Sequence, residues 1–399
     1  PYEEREVGRP MRKRPAYARQ KEMGAVFGLN YGWEHPLWYA PAGTEAVETY
    51  GFTRQNWFEP VRAECLALRN GVGLIDVSNF GKYQIKGAGA REWLDKVVAN
   101  NVPTEIGRSC LTPLIGVRGG IAGDFTITML GEDHYFMVGS GIAERYHQRY
   151  FKEVARPTTV EFTSLTEAMV GFNVAGPKSR ELLGRLTQAN LSNEAWKFMR
   201  SAQITVAGID AVAIRVSFTG DLGWEIYVAQ AEQVKLLDAL LEAGRDLGVR
   251  PVGGRALLSL RVEKGYGSWG REYSPEYWPQ EVGLARLIKM DKPEFLGKNA
   301  YAALAAKAPR EQLVMLEIEA IEADAVGGEP IFAPDGTPVG RVSSGAYGFT
   351  VNKSLALGFV KTAYAAAGTV LEVAVLGRPH KGVVLAEAAF DPKGERLRA

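Results

Sequence analysis

Cysteine and histidine are scarce. The 399 residues hold two cysteines, Cys65 and Cys110, and four histidines, His35, His134, His147 and His380. Two cysteines cannot build a disulfide framework, so a reducing, cytoplasmic setting is expected, or a mitochondrial matrix in a eukaryote. The histidines stand singly, with no HExxH and no CxxC, which argues against a histidine- or thiolate-based metal site. A surplus of one charge is also missing: 47 Lys and Arg face 46 Asp and Glu, for a net charge of +1. Nucleic-acid binding, which rests on a basic surplus, is therefore not expected. No apolar run approaches the roughly 18–20 residues of a membrane-spanning helix, so no membrane partner is expected. A GxxxxGK[ST] phosphate loop is absent, because Gly81-Lys82 and Gly297-Lys298 lack the preceding glycine. The opening PYEEREVGRPMRKRP has no apolar h-region and carries Glu3, Glu4 and Glu6, so it reads as a linker or processed end rather than a targeting signal.

What is present is an ordinary globular composition, 46% hydrophobic and 23% charged, long enough for two or three domains. Apolar periodicity predicts helices over 59–71, 91–98, 179–186, 234–241 and 256–262. Strands are predicted at 83–85, 125–129, 135–138, 169–174, 212–216 and 225–228, with a hairpin turn at Gly131-Glu132-Asp133. From about residue 306 the texture changes to short Val/Leu-rich strands separated by glycine, which predicts an all-β C-terminal domain. The whole is α+β with an antiparallel bias.

Three stretches carry possible chemistry. Gly265-Tyr-Gly-Ser-Trp-Gly270 matches the dinucleotide fingerprint GxGxxG, but it follows a predicted helix where the motif requires a strand. It reads as a helix C-terminal turn. Gly119-Gly-Ile-Ala-Gly-Asp124 leads paired glycines into a carboxylate at the start of a β-branched strand. Asp124 is either a turn former or a carboxylate at a sheet edge whose proton affinity burial tunes. Glu225 lies in the apolar strand Trp-Glu-Ile-Tyr-Val. It is either a surface position paired with an arginine or an acceptor for a heterocycle with two adjacent N–H donors. Arg255, after Gly253-Gly254, is a partner for Glu225 or a ligand contact.

GGIAGDFTIT, VAGPKSRELL, FTGDLGWEIYV, GGRALLSLRVEKGYGSWG and VGRVSSGAYG together resemble the folate-binding aminomethyltransferase family, which includes the glycine cleavage T-protein. RPAYARQKEMGAVFGLNYGWEHPLWY, NWFEPVRAECLALRNGVGLIDVSNFGKY and FDPKGERLR resemble the C-terminal half of dimethylglycine and sarcosine dehydrogenases and dimethylglycine oxidase. The opening segment resembles the joint between the flavin half and the folate half of those enzymes.

The resemblance implies a three-domain cloverleaf with a C-terminal β-barrel around a folate cavity. The expected divisions are a linker at 1–13, a first domain from 14–59 plus 161–305, a second at 60–160 and a barrel at 306–399. It implies tetrahydrofolate as cofactor, no FAD in this chain, and a flavin-dependent amine dehydrogenase or oxidase as partner. The implied activity is capture of an iminium or formaldehyde unit, from dimethylglycine or sarcosine oxidation, as 5,10-methylenetetrahydrofolate. Alternatives within the family are a demethylase yielding 5-methyltetrahydrofolate and a folate-binding protein without catalysis. The iron–sulfur-assembly members carry KGCYxGQE, and Lys264–Glu272 has no cysteine. By resemblance Asp124 is catalytic, beside N10; Glu225 takes the pterin N3–H and 2-amino group; Arg255 is a folate-site arginine; Leu111 and Val138 surround the pterin. Two positions depart: Phe218 stands where relatives usually carry Tyr, and Arg286 where they usually carry an aromatic residue.

Overall fold

Alternation over Phe125–Met129, within the strand Ile121–Gly131, builds the first sheet. The computed structural model describes residues 3–399, so Pro1 and Tyr2 of the expected linker lie outside the described residues. Five antiparallel strands run in the order Ser109–Ile115, Ile121–Gly131, His134–Gly139, Gly81–Lys86, Glu161–Ser164. Phe125, Ile127, Tyr135, Met137, Tyr83 and Ile85 form one face and pack against Trp93, Leu94 and Val97 of helix Ala90–Val97 and Phe151 of helix Glu144–Glu153. Each such burial stabilises by about 1.5–3 kcal/mol. Because successive side chains point to opposite faces, Asp124, Thr126, Val138 and Lys82 share the other face.

A second sheet of six strands has the order Ser201–Val206, Ile209–Ile214, Gly223–Ala229, Met169–Ala175, Gly73–Asp76, Arg250–Val252. Leu74, Phe172, Val174, Trp224, Ile226 and Val228 bury one face against Leu182 and Leu183 of helix Ser179–Gly184 and Leu236, Leu237 and Leu240 of helix Gln233–Ala243. Ile75, Ile214 and Tyr227 lie on the opposite face. They share a core with helices Phe58–Asn70 and Gly254–Glu263 and with Phe136 and Val138 of the first sheet. The sheet faces that carry Tyr227 and Val138 therefore look toward one another. Strand Gly73–Asp76 belongs to this second sheet although it lies within 60–160, so sheet membership crosses residue 60.

The all-β expectation holds for the C-terminal part. Six strands close into a barrel in the order Glu311–Ile318, Lys353–Lys361, Pro338–Gly348, Pro330–Phe332, Val370–Val375, Arg378–Val384, filled by Leu316, Ile331, Val360, Leu371 and Val373 among others. Closure leaves no unpaired sheet edge. The described part of the opening segment is tied down: the Leu29 amide donates to Glu4, Arg9 pairs with Glu34, and Arg12 lies 3.8 Å over the Trp33 ring. These contacts hold it on the hairpin Ala25–Asn30/Trp33–Tyr39. The fingerprint-like glycines end a helix: Gly265 has φ 70°, and its amide donates to the Val262 carbonyl of the last turn of Gly254–Glu263. No described helix is long and apolar enough to cross a membrane.

Candidate functional site

The first sheet lines up one side of the site. Leu111, Thr126, Val138 and Lys82 are register partners across four neighbouring strands, and Asp124 sits two residues before Thr126 on the same face. Asp124 pairs in register with Pro113. The glycines ahead of it serve close packing: a Cβ at Gly120 would lie 2.3 Å from the Pro275 carbonyl oxygen. Asp124 is half-buried, its Oδ1 is buried with no hydrogen-bond partner, and burial raises its carboxyl to about 6. A buried acceptor of this kind normally has a donor, so Oδ1 marks a place where a donor is missing. Half-buried Tyr273 lies within range of Asp124's charge, and Gly267 lets it approach, since a Cβ there would meet the Tyr273 ring at 2.6 Å.

The second sheet supplies the other side. Ile75, Asn173, Glu225 and Ile214 are register partners on one face. Glu225 is 7% exposed, which excludes the solvent-facing strand position. Tyr227 donates its hydroxyl to Glu225 Oε2 at 2.7 Å, while no described residue donates to Oε1. Burial raises Glu225 to about 7, opposed by the Tyr227 hydrogen bond and the charge of Lys82. Phe136 and Tyr227 meet with ring centroids 5.4 Å apart, which brings the two faces into contact.

Lys82 carried no functional reading in the sequence. It is fully buried, donates to the Ser78 and Phe80 carbonyls at 2.8 and 2.7 Å, and is lowered to about 7 by burial and the nearby Arg14. Its signal was a lysine alternating with the core residues Tyr83 and Ile85. Tyr227 was legible in the same way, two residues from Glu225 in a period-2 strand.

The remaining expected residues divide. Leu111 is 38% exposed at the sheet's first strand, and Val138 is buried between the sheets. Arg255, considered as the partner of Glu225, pairs instead with Glu48 and lies 4.6 Å from the Trp57 ring centroid. Its neighbour Gly254 begins a helix packed on Phe58–Asn70, which fixes the guanidinium on that side. Phe218 stacks on Tyr266 with centroids 5.9 Å apart and planes 18° apart. Arg286 is exposed in the short 3-10 turn Ala285–Leu287. Among the described residues no group of three or more His, Cys, Asp or Glu is arranged to hold a metal.

Two family models account for most of the chain: the GCVT N-terminal domain over residues 16–292 and the glycine cleavage T-protein C-terminal barrel domain over 311–391. The chain belongs to the glycine cleavage T-protein family. Its curated relatives are enzymes. It is 37% identical over 98% of its length to 4-methylaminobutanoate oxidase (formaldehyde-forming) of Paenarthrobacter nicotinovorans, covering 48% of that protein. It is 33% identical over its full length to human mitochondrial dimethylglycine dehydrogenase, covering 46% of it. The chain thus spans about half the length of these relatives. The aminomethyltransferase of Halothermothrix orenii is 30% identical, with 94% of this chain and 99% of that one aligned. The fold matches the crystal structure of the glycine cleavage system aminomethyltransferase T of Bartonella henselae with a TM-score of 0.83 at 24% identity, covering 96% of this chain and 99% of that one.

Proposed function

We propose that this member of the T-protein family uses tetrahydrofolate as the acceptor of a one-carbon unit. The carrying observation is the pair of carboxylates on facing sheet surfaces: Asp124 Oδ1 is buried without a partner, and no described residue donates to Glu225 Oε1. That pair of acceptors fits a reduced pterin. Glu225 offers Oε1 to one of the two adjacent N–H donors of the ring and shares Oε2 between the other and Tyr227. Asp124 offers a buried acceptor to the aniline-like N10–H. At pH 7–8 a carboxyl raised to about 6 is mostly ionised, so Asp124 takes the N10 proton as the bond to formaldehyde carbon forms. It also stabilises the positive charge that develops when water leaves. Val138, Phe136 and Leu111 give the ring an apolar wall. The product of this reading is 5,10-methylenetetrahydrofolate.

Relatives about twice as long that oxidise or dehydrogenate N-methyl amines support a flavin-bearing partner half as the source of the unit, with dimethylglycine or sarcosine as substrates of the kind expected. Joining the halves would raise the local concentration of a labile intermediate. Asp124→Asn keeps the shape and removes the base. In stopped-flow assays with formaldehyde and tetrahydrofolate, the enzymatic increment over the spontaneous condensation is expected to fall at least about 100-fold. Binding by calorimetry should change little. An Asn variant with an undiminished increment would refute the role of Asp124.

A further inference from the structure

Two buried cations meet at the turn between Asp76 and Lys82 without a carboxylate of their own. Arg14 comes from the opening segment, is 4% exposed and lies 3.6 Å over the Trp33 ring. Its Nη2 donates to the Ser78 carbonyl at 2.9 Å, while Nε and Nη1 are buried with no hydrogen-bond partner. Lys82 Nζ donates to that same carbonyl at 2.8 Å and to the Phe80 carbonyl at 2.7 Å, so one oxygen draws both cations together. Two of the three ammonium donors are thereby used, and no described residue takes the third. Asp76 is the carboxylate at this turn, but the Ser78 amide, Gln20 and Gln233 donate to its oxygens at 2.9, 2.9 and 3.2 Å. It pairs with neither cation.

The turn is bonded to the Glu225 sheet. Ser78 Oγ accepts from the Gly171 amide at 3.2 Å, and Gly171 is the register partner of Tyr227, whose hydroxyl holds Glu225. Lys82 is itself the register partner of Val138, which packs in one core with Tyr227. Its charge acts on Glu225 across that core. The charges that act on Lys82 come from separate elements: Arg14 opposes its protonation, while Asp76, Glu144 and Glu225 favour it. Burial and then Arg14 bring Lys82 down to about 7, and burial brings Glu225 up to about 7, so the two groups change charge in the same range.

A buried carboxylate ionises at a cost that a nearby cation offsets. We infer that Lys82 is a positioning residue of the pterin site, supplying the counter-charge that keeps Glu225 an acceptor, and that Arg14 controls that charge from across the shared Ser78 carbonyl. This rests on the tetrahydrofolate reading above. It adds that the opening segment, through Arg14, sets the pH range over which the ring is bound.

The test is calorimetry of tetrahydrofolate binding to the full chain from pH 6 to pH 9, for the parent, Lys82→Met and Arg14→Met. Both substitutions replace a long cation by an unbranched apolar chain. Without the Lys82 charge Glu225 holds its proton to higher pH, so affinity at pH 7 should fall about fivefold and return to the parent's at pH 9, where Glu225 is ionised in both. Without Arg14, Lys82 keeps its proton to higher pH, so the midpoint of the affinity profile should move below the parent's. A purely structural role predicts loss at every pH from both variants, whereas shifts of opposite sign identify the charge. Equal loss across the range, shifts of the same sign, or no shift would overturn the role of Lys82 while the folate reading stood. If Lys82→Met does not fold, Arg14→Met decides alone: a lowered midpoint supports the inference, and an unmoved or raised one overturns it. A parent chain that binds no tetrahydrofolate at any pH would overturn the folate reading itself, and this inference with it.

Discussion

Asp124 and Glu225 titrate near 4 in an unfolded chain and at about 6 and about 7 in the folded one. Between about pH 4 and those values the folded protein holds protons that the unfolded chain has released. Stability therefore falls as pH rises through this window and stays reduced above it. Asp124→Asn removes its share of that loss. The variant is expected to be more stable than the parent by about 2 kcal/mol at pH 8 and nearly equal to it at pH 4, which denaturant titrations at the two pH values would show. A substitution that abolishes catalysis while stabilising the unliganded protein is a signature of a functional rather than a structural carboxylate. Glu225 gives a second pH dependence. Its ionised form accepts the ring donors, so affinity for tetrahydrofolate should rise from pH 6 to pH 8 with a midpoint at about 7. Glu225→Gln replaces an acceptor by a clashing donor. It should weaken binding by about 2–4 kcal/mol at pH 8 and flatten the pH profile in calorimetry. Both carboxylates were readable in the sequence, because a lone acid in an apolar strand raises the question of its partner. Lys82 was not, since the Arg14 charge that acts on it arrives from a distant segment.

Several elements meet at the loop Thr219–Leu222, which enters the Glu225 strand. Asp221 is buried, pairs with Arg69 of helix Phe58–Asn70, and accepts from Arg396 of the C-terminal segment at 2.7 Å. Arg69 also meets Glu263 of helix Gly254–Glu263 at 2.7 Å, and its guanidinium stacks 3.8 Å from the Phe390 ring centroid. Two helices, the loop and the chain's last residues are thereby locked by one buried ionic cluster. Removing one charge leaves the others uncompensated. Asp221→Asn should destabilise the protein by about 3–5 kcal/mol in chemical denaturation, without changing the pH profile of tetrahydrofolate binding in the fraction that stays folded. Most helices and strands were visible in the sequence, because alternation in Phe125–Met129 and helical spacing in Trp93–Val97 leave one solution each. The pairing of Gly73–Asp76 with strands 100 residues away was not visible, since a short apolar run carries no mark of its partner. Arg255 shows the same limit: its ion pair with Glu48 joins residues 207 apart.

Across the whole molecule, family, α+β class and terminal barrel were legible from motif order and from the change of texture near residue 306. How the two sheets face one another came only with the structure. The chain covers about half of its oxidase and dehydrogenase relatives. If the flavin chemistry belongs to the other half, this chain purified alone should be colourless and should not oxidise dimethylglycine or sarcosine. A stoichiometric flavin spectrum that copurifies with it would contradict that division. The central claim is that the two facing carboxylates hold a single reduced pterin. A crystal structure of the complex with tetrahydrofolate tests it most directly. The account predicts both ring N–H donors within hydrogen-bond distance of the Glu225 carboxylate and N10 within reach of Asp124. A ring bound elsewhere, or one that meets Glu225 while its N10 lies far from Asp124, would contradict it.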